Sequence, residues 1–179
     1  MLNSVLKIDS HDLAAYVKSQ RDGPLLAILD EVRDFVFIKD EEGRFLFCNR
    51  AHLAHLGRKE SEVLGKTDFD LFPAHLAEAF YAAETHLFET QVPVIRLQES
   101  VDSTGQKFYS TAIKFLICDK RDNALGLVGS VHRIGEKDSF DMEQSKSHIL
   151  SILRHQPGVT PSQLKAFEAT LPALLSSKH

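Results

Sequence analysis

The stretch Phe35-Val36-Phe37-Ile38-Lys39-Asp40-Glu41-Glu42-Gly43-Arg44-Phe45-Leu46-Phe47-Cys48-Asn49 decides how the rest of the chain is read. Its opening is aromatic and β-branched, which suits a pleated strand packed on at least one side. Asp40-Glu41-Glu42-Gly43 is a polar turn in which Gly43 can supply the positive φ of a tight hairpin. Residues 44–48 form the returning strand. Asn49 is placed to cap a helix over residues 50–56, which Gly57 ends.

Upstream, Ser10-His11-Asp12 precedes Leu13, Ala14, Tyr16 and Val17, a short capped helix that stops at Asp22-Gly23-Pro24. Leu25, Ile28, Leu29 and Val32 then follow the spacing of one helix face. Downstream, residues 61–65 read as a turn of helix, and Thr67 or Asp68 caps a brief piece over 69–72. Pro73 starts the longest helix, residues 74–89, where Leu76, Phe80, Ala83 and Leu87 recur at about the helical period. Gln91-Val92-Pro93 breaks it. Three strands follow, over residues 94–101, 106–117 and 124–134, with turns at Ser103-Thr104-Gly105 and residues 119–123. Beyond Gly135 the pattern is helical again. Residues 140–155 end at Pro157-Gly158, and Thr160-Pro161-Ser162-Gln163 opens a last helix.

Two strands, a helical crossover and a three-stranded meander predict an α+β fold, a five-stranded antiparallel sheet with short helices and one longer helix on one face. The organisation expected is an N-terminal helical cap over residues 1–24, a central domain over 25–134 and a C-terminal helical hairpin over 135–179.

Composition narrows the function classes. The 179 residues are 43% hydrophobic, so a packed core is attainable and disorder is excluded as the dominant state. A net charge of −4 gives no global field for nucleic acid or anionic lipid. Two cysteines, Cys48 and Cys118, fit buried free thiols rather than a disulfide framework. Residues 1–13 lack a signal-peptide core and no apolar run has membrane-spanning length, so a soluble, cytoplasmic protein without membrane contact is expected.

With these elements in order, the chain resembles a PAS domain of the small-molecule-sensing kind found in bacterial signalling proteins. The hairpin and Asn-capped helix of residues 35–49 carry part of the likeness. Gly65-Lys66-Thr67-Asp68-Phe69-Asp70-Leu71-Phe72-Pro73, Glu89-Thr90-Gln91-Val92-Pro93 and Gly126-Leu127-Val128-Gly129-Ser130-Val131 carry the rest. The match spans residues 25–134, which hold ten of the twelve Phe residues. Two positions depart from the family pattern. Arg133-Ile134-Gly135 stands where an Asp-Ile-Thr signature often couples the sheet to an effector, and Leu116 stands where Pro is frequent.

The resemblance implies a pocket between the sheet and the long helix. Phe37, Phe47, Phe80 and Ile113 are the candidates to line it, with Asn49 and Thr111 as polar contacts for a small, largely apolar ligand. Haem-binding relatives take an axial His from the long helix, which makes His86 the candidate ligand here. The flavin-binding light sensors carry a reactive Cys before that helix, and residues 68–72 contain none, which argues against flavin. His52 and His55, at i and i+3, read as surface histidines, with Leu53, Ala54 and Leu56 facing the core.

No phosphate loop, nucleophile elbow or paired catalytic carboxylates stand out, so no enzyme is expected. Ser147-His148 resembles a kinase phosphoacceptor, but too few residues follow for an ATP-binding domain. Residues 149–175 resemble two helices of a helix-turn-helix, yet lack a basic reading helix. The reading is a stand-alone sensor or adaptor that signals by protein contact. A homodimer is expected through the apolar stripes of residues 12–20 and 140–155, with an unidentified signalling protein as partner. An unliganded dimerisation module and a transcriptional regulator remain the alternatives.

Overall fold

The hairpin forms as its residues dictate. In the computed structural model, which describes residues 5–134, β2 (Phe35–Asp40) and β3 (Phe45–Cys48) pair antiparallel. Gly43 takes φ 77°, and Asp40 Oδ1 accepts from the N–H groups of Glu42 and Arg44 at 3.1 and 2.8 Å to close the turn. The chain enters through β1 (Val5–Lys7), α1 (Leu13–Ser19) and α2 (Pro24–Glu31). After the hairpin come α3 (Arg50–Leu56), α4 (Glu60–Val63), α5 (Asp68–Leu71) and α6 (Ala74–Thr90). The sheet is completed by β4 (Val94–Val101), β5 (Lys107–Cys118) and β6 (Ala124–Ile134). Residues 5–133 form one compact unit.

The strands lie in the order β4-β5-β6-β2-β3, with antiparallel pairings β4–β5, β6–β2 and β2–β3. A sixth strand departs from the expected count. β4 pairs only residues 107–114 of β5, which leaves the end of that edge open; β1 fills it in parallel, Val5 opposite Leu116 and Lys7 opposite Cys118. A covered edge is no longer a template for pairing with another chain.

The sheet is buried on both faces. On one, α3 to α6 close over Phe37, Phe45, Cys48, Ala112, Leu116 and Leu127. On the other, Leu13, Val17 and Leu26 of α1 and α2 pack on Val36, Ile38, Phe47 and Ile117. This corrects the α2 stripe read from sequence. Leu26 and Leu29 face the sheet, while Leu25 and Ile28 are exposed. The α1 cap is as expected, with Asp12 accepting from the Ala15 N–H at 2.9 Å. The C-terminal hairpin expected over residues 135–179 lies outside the described residues.

One irregularity sets which face each hairpin residue sees. The β2–β3 register shifts between Ile38 and Lys39, so Lys39 pairs with Phe45 while Ile38 pairs with Phe47. A bulge of this kind inserts one residue and breaks the in-out alternation. Phe45 therefore faces α6, while Phe47 turns to α1 and α2.

Candidate functional site

Between the sheet and the helical layer is a partly enclosed chamber. Its walls are Phe35, Phe37 and Phe45 from the hairpin, His52 and His55 from α3, and Phe72 and Phe80 around the start of α6. The space left is about 40 Å³, room for about one or two water molecules. Three charged side chains, Lys39, Asp68 and Lys114, line it, and Glu84, outside the lining, accepts from both lysines. Lys39, at 1% exposure, donates to Asp68 Oδ2 at 2.5 Å and to Glu84 Oε1 at 2.8 Å. Lys114, at 3% exposure, donates to the same Glu84 oxygen at 2.5 Å.

Strand alternation explains why these groups are inside. Phe35, Phe37 and Lys39 share one face of β2, and Phe108, Ser110, Ala112, Lys114 and Leu116 share one face of β5. Glu84 lies four residues after Phe80 on the buried side of α6, and Asp68 opens α5. The lysines also lie near aromatic faces: Lys39 Nζ is 4.6 Å from the Phe45 centroid, and Lys114 Nζ is 5.7 Å from that of Phe80.

The four groups are not held equally. Burial opposes charge on Lys39, but Glu84 and then Asp68 outweigh it and its pKa rises. Burial likewise opposes charge on Glu84, and the two lysines outweigh it, so the carboxylate is favoured. For Asp68 burial wins and its pKa is raised; for Lys114 burial wins and its pKa is lowered. Lys39 and Glu84 are thus the firmly charged pair, with Asp68 and Lys114 pushed towards neutrality.

His52 is the remaining polar group. It is buried among Phe35, Phe37 and Phe45, and its Nδ1 has no hydrogen-bond partner among the described residues. Burial first, then His55 and Lys39, lower its pKa to about 3, so the imidazole is neutral at physiological pH. His55 stacks on Phe35 with centroids 4.4 Å apart. Both histidines therefore line the chamber and are not the surface residues expected from sequence. α3 turns its His52 and His55 side towards the hairpin because Asn49 fixes where the helix begins.

A family model described as the PAS fold matches residues 29–139. The chain belongs to the PAS fold family. Among curated proteins it is 29% identical over 104 residues to a diguanylate cyclase of Vibrio cholerae, covering 57% of this chain and 32% of that protein. It is also 36% identical over 59 residues to the uncharacterized protein y4lL of Sinorhizobium fredii, covering 33% of this chain and 7% of that protein. The chain thus spans a third or less of the length of these relatives. Solved structures share the fold. The PAS domain of BvgS from Bordetella pertussis matches with TM-score 0.56 and 22% identity, over 72% of this chain and 94% of that one. VqmA bound to DPO matches with TM-score 0.57 and 18% identity, over 87% and 85%. The LOV protein of Rhodobacter sphaeroides matches with TM-score 0.60 and 14% identity, over 86% and 96%.

PAS domains are in general sensory rather than catalytic, and in this one the residues expected to form the pocket divide. Phe37 and Phe80 line the chamber. Phe47 does not, because the bulge turns it to the other face. Thr111 and Ile113 lie one step out of phase on β5, half-buried on the face away from Lys114 and opposite Leu97 and Ile95. Asn49 is wholly buried and fully engaged outside the chamber. Its Oδ1 accepts from the Val36 and His52 N–H groups, both at 3.0 Å, and its Nδ2 donates to the carbonyls of Leu29, Val32 and Asp34. His86 is exposed on α6 and does not line the chamber, so the residues present do not fit a haem bound through it.

Lys39, Asp68, Glu84 and Lys114 were not anticipated. The signal available was a lysine in phase with the buried face of each strand, with Phe35 and Phe37 on β2 and with Phe108 on β5, and an acid four residues after Phe80 on α6. The departure at Arg133 keeps a charge contact of its own, 3.8 Å from Asp102 and 4.3 Å above the Phe108 ring. Among the described residues no group of three or more His, Cys, Asp or Glu is placed to hold a metal ion. No described helix is long and apolar enough to cross a membrane.

Proposed function

We propose that this PAS domain is a sensor or adaptor that binds a small ligand in the chamber and signals by protein contact, with no catalytic output of its own. One observation carries the reading: two lysines, the Asp68 carboxylate and a neutral histidine whose Nδ1 has no partner among the described residues line a chamber walled by phenylalanines, with Glu84 buried behind the lysines. Apolar side chains of similar volume would often be as stable or more so, so stability alone does not account for these groups. A ligand that meets the orphaned His52 nitrogen and unused lysine protons accounts for them. The solved complex of VqmA with DPO supports a ligand-binding role for this fold. A VqmA dimer is also known in Vibrio cholerae. With Leu25 and Ile28 exposed on α2, it supports a homodimer as the signalling form. The part proposed for residues 135–179 is an extension that contributes to this assembly.

Native mass spectrometry of protein purified from several hosts, compared with the denatured mass, tests the reading. Extra mass, or a screened small molecule that raises the melting temperature of wild type but not of a Lys114→Met variant, supports it. A bare mass in every host together with a screen that yields no chamber ligand favours the unliganded interaction module instead. The small size of the chamber as it stands is the observation on that side.

A further inference from the structure

The two acids that pair with the chamber lysines are attached very differently. Glu84 sits within the 17-residue α6 and accepts from both lysines. Asp68 sits at the start of the four-residue α5, and Lys39 is its one side-chain hydrogen-bond partner among the described residues. That short helix is closed on itself by the Thr67–Asp70 capping pair. Its outer residue Phe69 is exposed, and among the described residues its one aromatic contact is the similarly exposed ring of Tyr81. Short, exposed elements with few buried contacts are the first to open locally. α5 and the residue after it also provide two chamber walls, Asp68 and Phe72. Outward movement of α5 would therefore enlarge the chamber and release one N–H of Lys39 in one step, with Glu84 keeping its own bond to that lysine.

The lysines have hydrogen-bonding capacity to spare. Lys114 donates to Glu84 alone, and an ammonium has three N–H groups, so two lack an acceptor among the described residues. The charge count then restricts what can enter. Two lysines balance Asp68 and Glu84 while His52 stays neutral. A carboxylate added to the set leaves the chamber at −1 and a cation leaves it at +1, and an unmatched buried charge is costly. A carboxylate that replaces Asp68 leaves the balance at zero.

We propose that the chamber takes a small monocarboxylate with a flat apolar body, whose carboxylate exchanges with Asp68 at Lys39 and Lys114 as α5 swings outward. The proposal rests on the sensor reading above and names its ligand class. The phenylalanine walls receive the apolar body, and the outward swing of α5 is the change a partner protein detects. Asp68 serves as a built-in stand-in for the ligand's acid group.

Calorimetry on the full chain with benzoate and phenylacetate, against benzamide and phenylacetamide, tests this. The acids are expected to bind saturably and at least tenfold tighter than the amides. Asp68→Asn removes the internal competitor and is expected to bind the acids about tenfold tighter still, while Lys114→Met loses them. The exchange conserves charge, so the binding heat at pH 7 is expected to be the same in buffers of different ionisation enthalpy. Phe69→Trp, at an exposed site, is expected to change fluorescence with the acid.

Amides that match the acids, acid binding weakened by Asp68→Asn, uptake of a proton on binding, or no binding of either acid to wild type and Asp68→Asn alike would each overturn the proposal. If Asp68→Asn does not fold, the acid–amide comparison and the buffer comparison on wild type decide. Amides that bind in the chamber leave the sensor reading standing and remove only the carboxylate. A negative result in the native-mass and ligand screens removes the sensor reading itself.

Discussion

Lys39 on the second strand donates to Glu84 on the long helix across 2.8 Å, with both side chains almost wholly shielded from solvent. This bond ties the middle of the sheet to the element that roofs it. Glu84 also accepts from Lys114, so a single carboxylate oxygen joins β2, β5 and α6. Buried pairs add little net stability, but removing one member leaves an unmatched charge. The chamber is consequently more sensitive to partial than to complete removal of its charges.

Glu84→Gln is expected to destabilise the fold by about 3–5 kcal/mol, the usual cost of breaking a buried pair from one side. Adding Lys114→Met to it is expected to restore part of that loss, because one of the stranded ammonium groups is then gone. Urea unfolding of the two variants checks the order. A double variant weaker than the single one would show that Lys114 contributes through packing rather than charge.

Asn49 is expected to be one of the most sensitive positions in the chain. Its side chain meets two N–H groups and three carbonyls, and all of them sit where α2, β2 and α3 converge. Asn49→Ala strands several at once, and a buried unmatched amide group costs about 1–3 kcal/mol, so a loss of at least about 3 kcal/mol is expected. Hydrogen exchange at Val36 and His52, whose N–H groups donate to Asn49, should accelerate in the same variant.

The hairpin, the cap at Asn49, the long helix and the three-strand meander were legible because each rests on local chemistry. A turn glycine, a capping amide and a recurring apolar face act within a few residues. The chamber was less legible because its composition depends on which way each strand faces. Phe47 was lost to one bulge, and Thr111 and Ile113 to a phase error of one residue on β5. Lys39 and Lys114 are both neutralised by Glu84, 45 and 30 residues away in the chain, a pairing that no local pattern reveals. The β1 strand is too short, at three residues, to carry a period of its own.

Gly129 is expected to tolerate no side chain. It pairs with Phe37 across β2 and β6, and a Cβ there would stand 2.3 Å from the Phe37 ring. Gly129→Ala must push that ring into the chamber, and overpacking of this kind typically costs about 1–3 kcal/mol. Thermal unfolding measures the loss. Chamber-ligand affinity should fall in the same variant, since Phe37 is one of the walls.

The acid limb of stability is expected to report His52. Its pKa is 6.5 when unfolded and about 3 in the fold, because burial, then His55 and Lys39, disfavour the imidazolium. Between those values the unfolded chain binds the extra proton, so stability is full above pH 6.5 and falls as the pH drops towards 3. The slope from one such group is about 1.4 kcal/mol per pH unit. His55, lowered for the same first reason, acts in the same direction. Glu84, whose pKa is depressed by the lysines despite burial, adds a further loss below the unfolded value of 4.5. Asp68 opposes both, since its raised pKa lets the fold take up a proton before the unfolded chain does. Total stability therefore mixes signs, and the informative quantity is the difference between wild type and His52→Leu. Denaturant unfolding from pH 7 to 4.5 should show that difference changing by about one proton's worth, with the variant the less acid-sensitive of the two. Parallel curves would mean that His52 is charged, or accessible to protons, within the folded chamber.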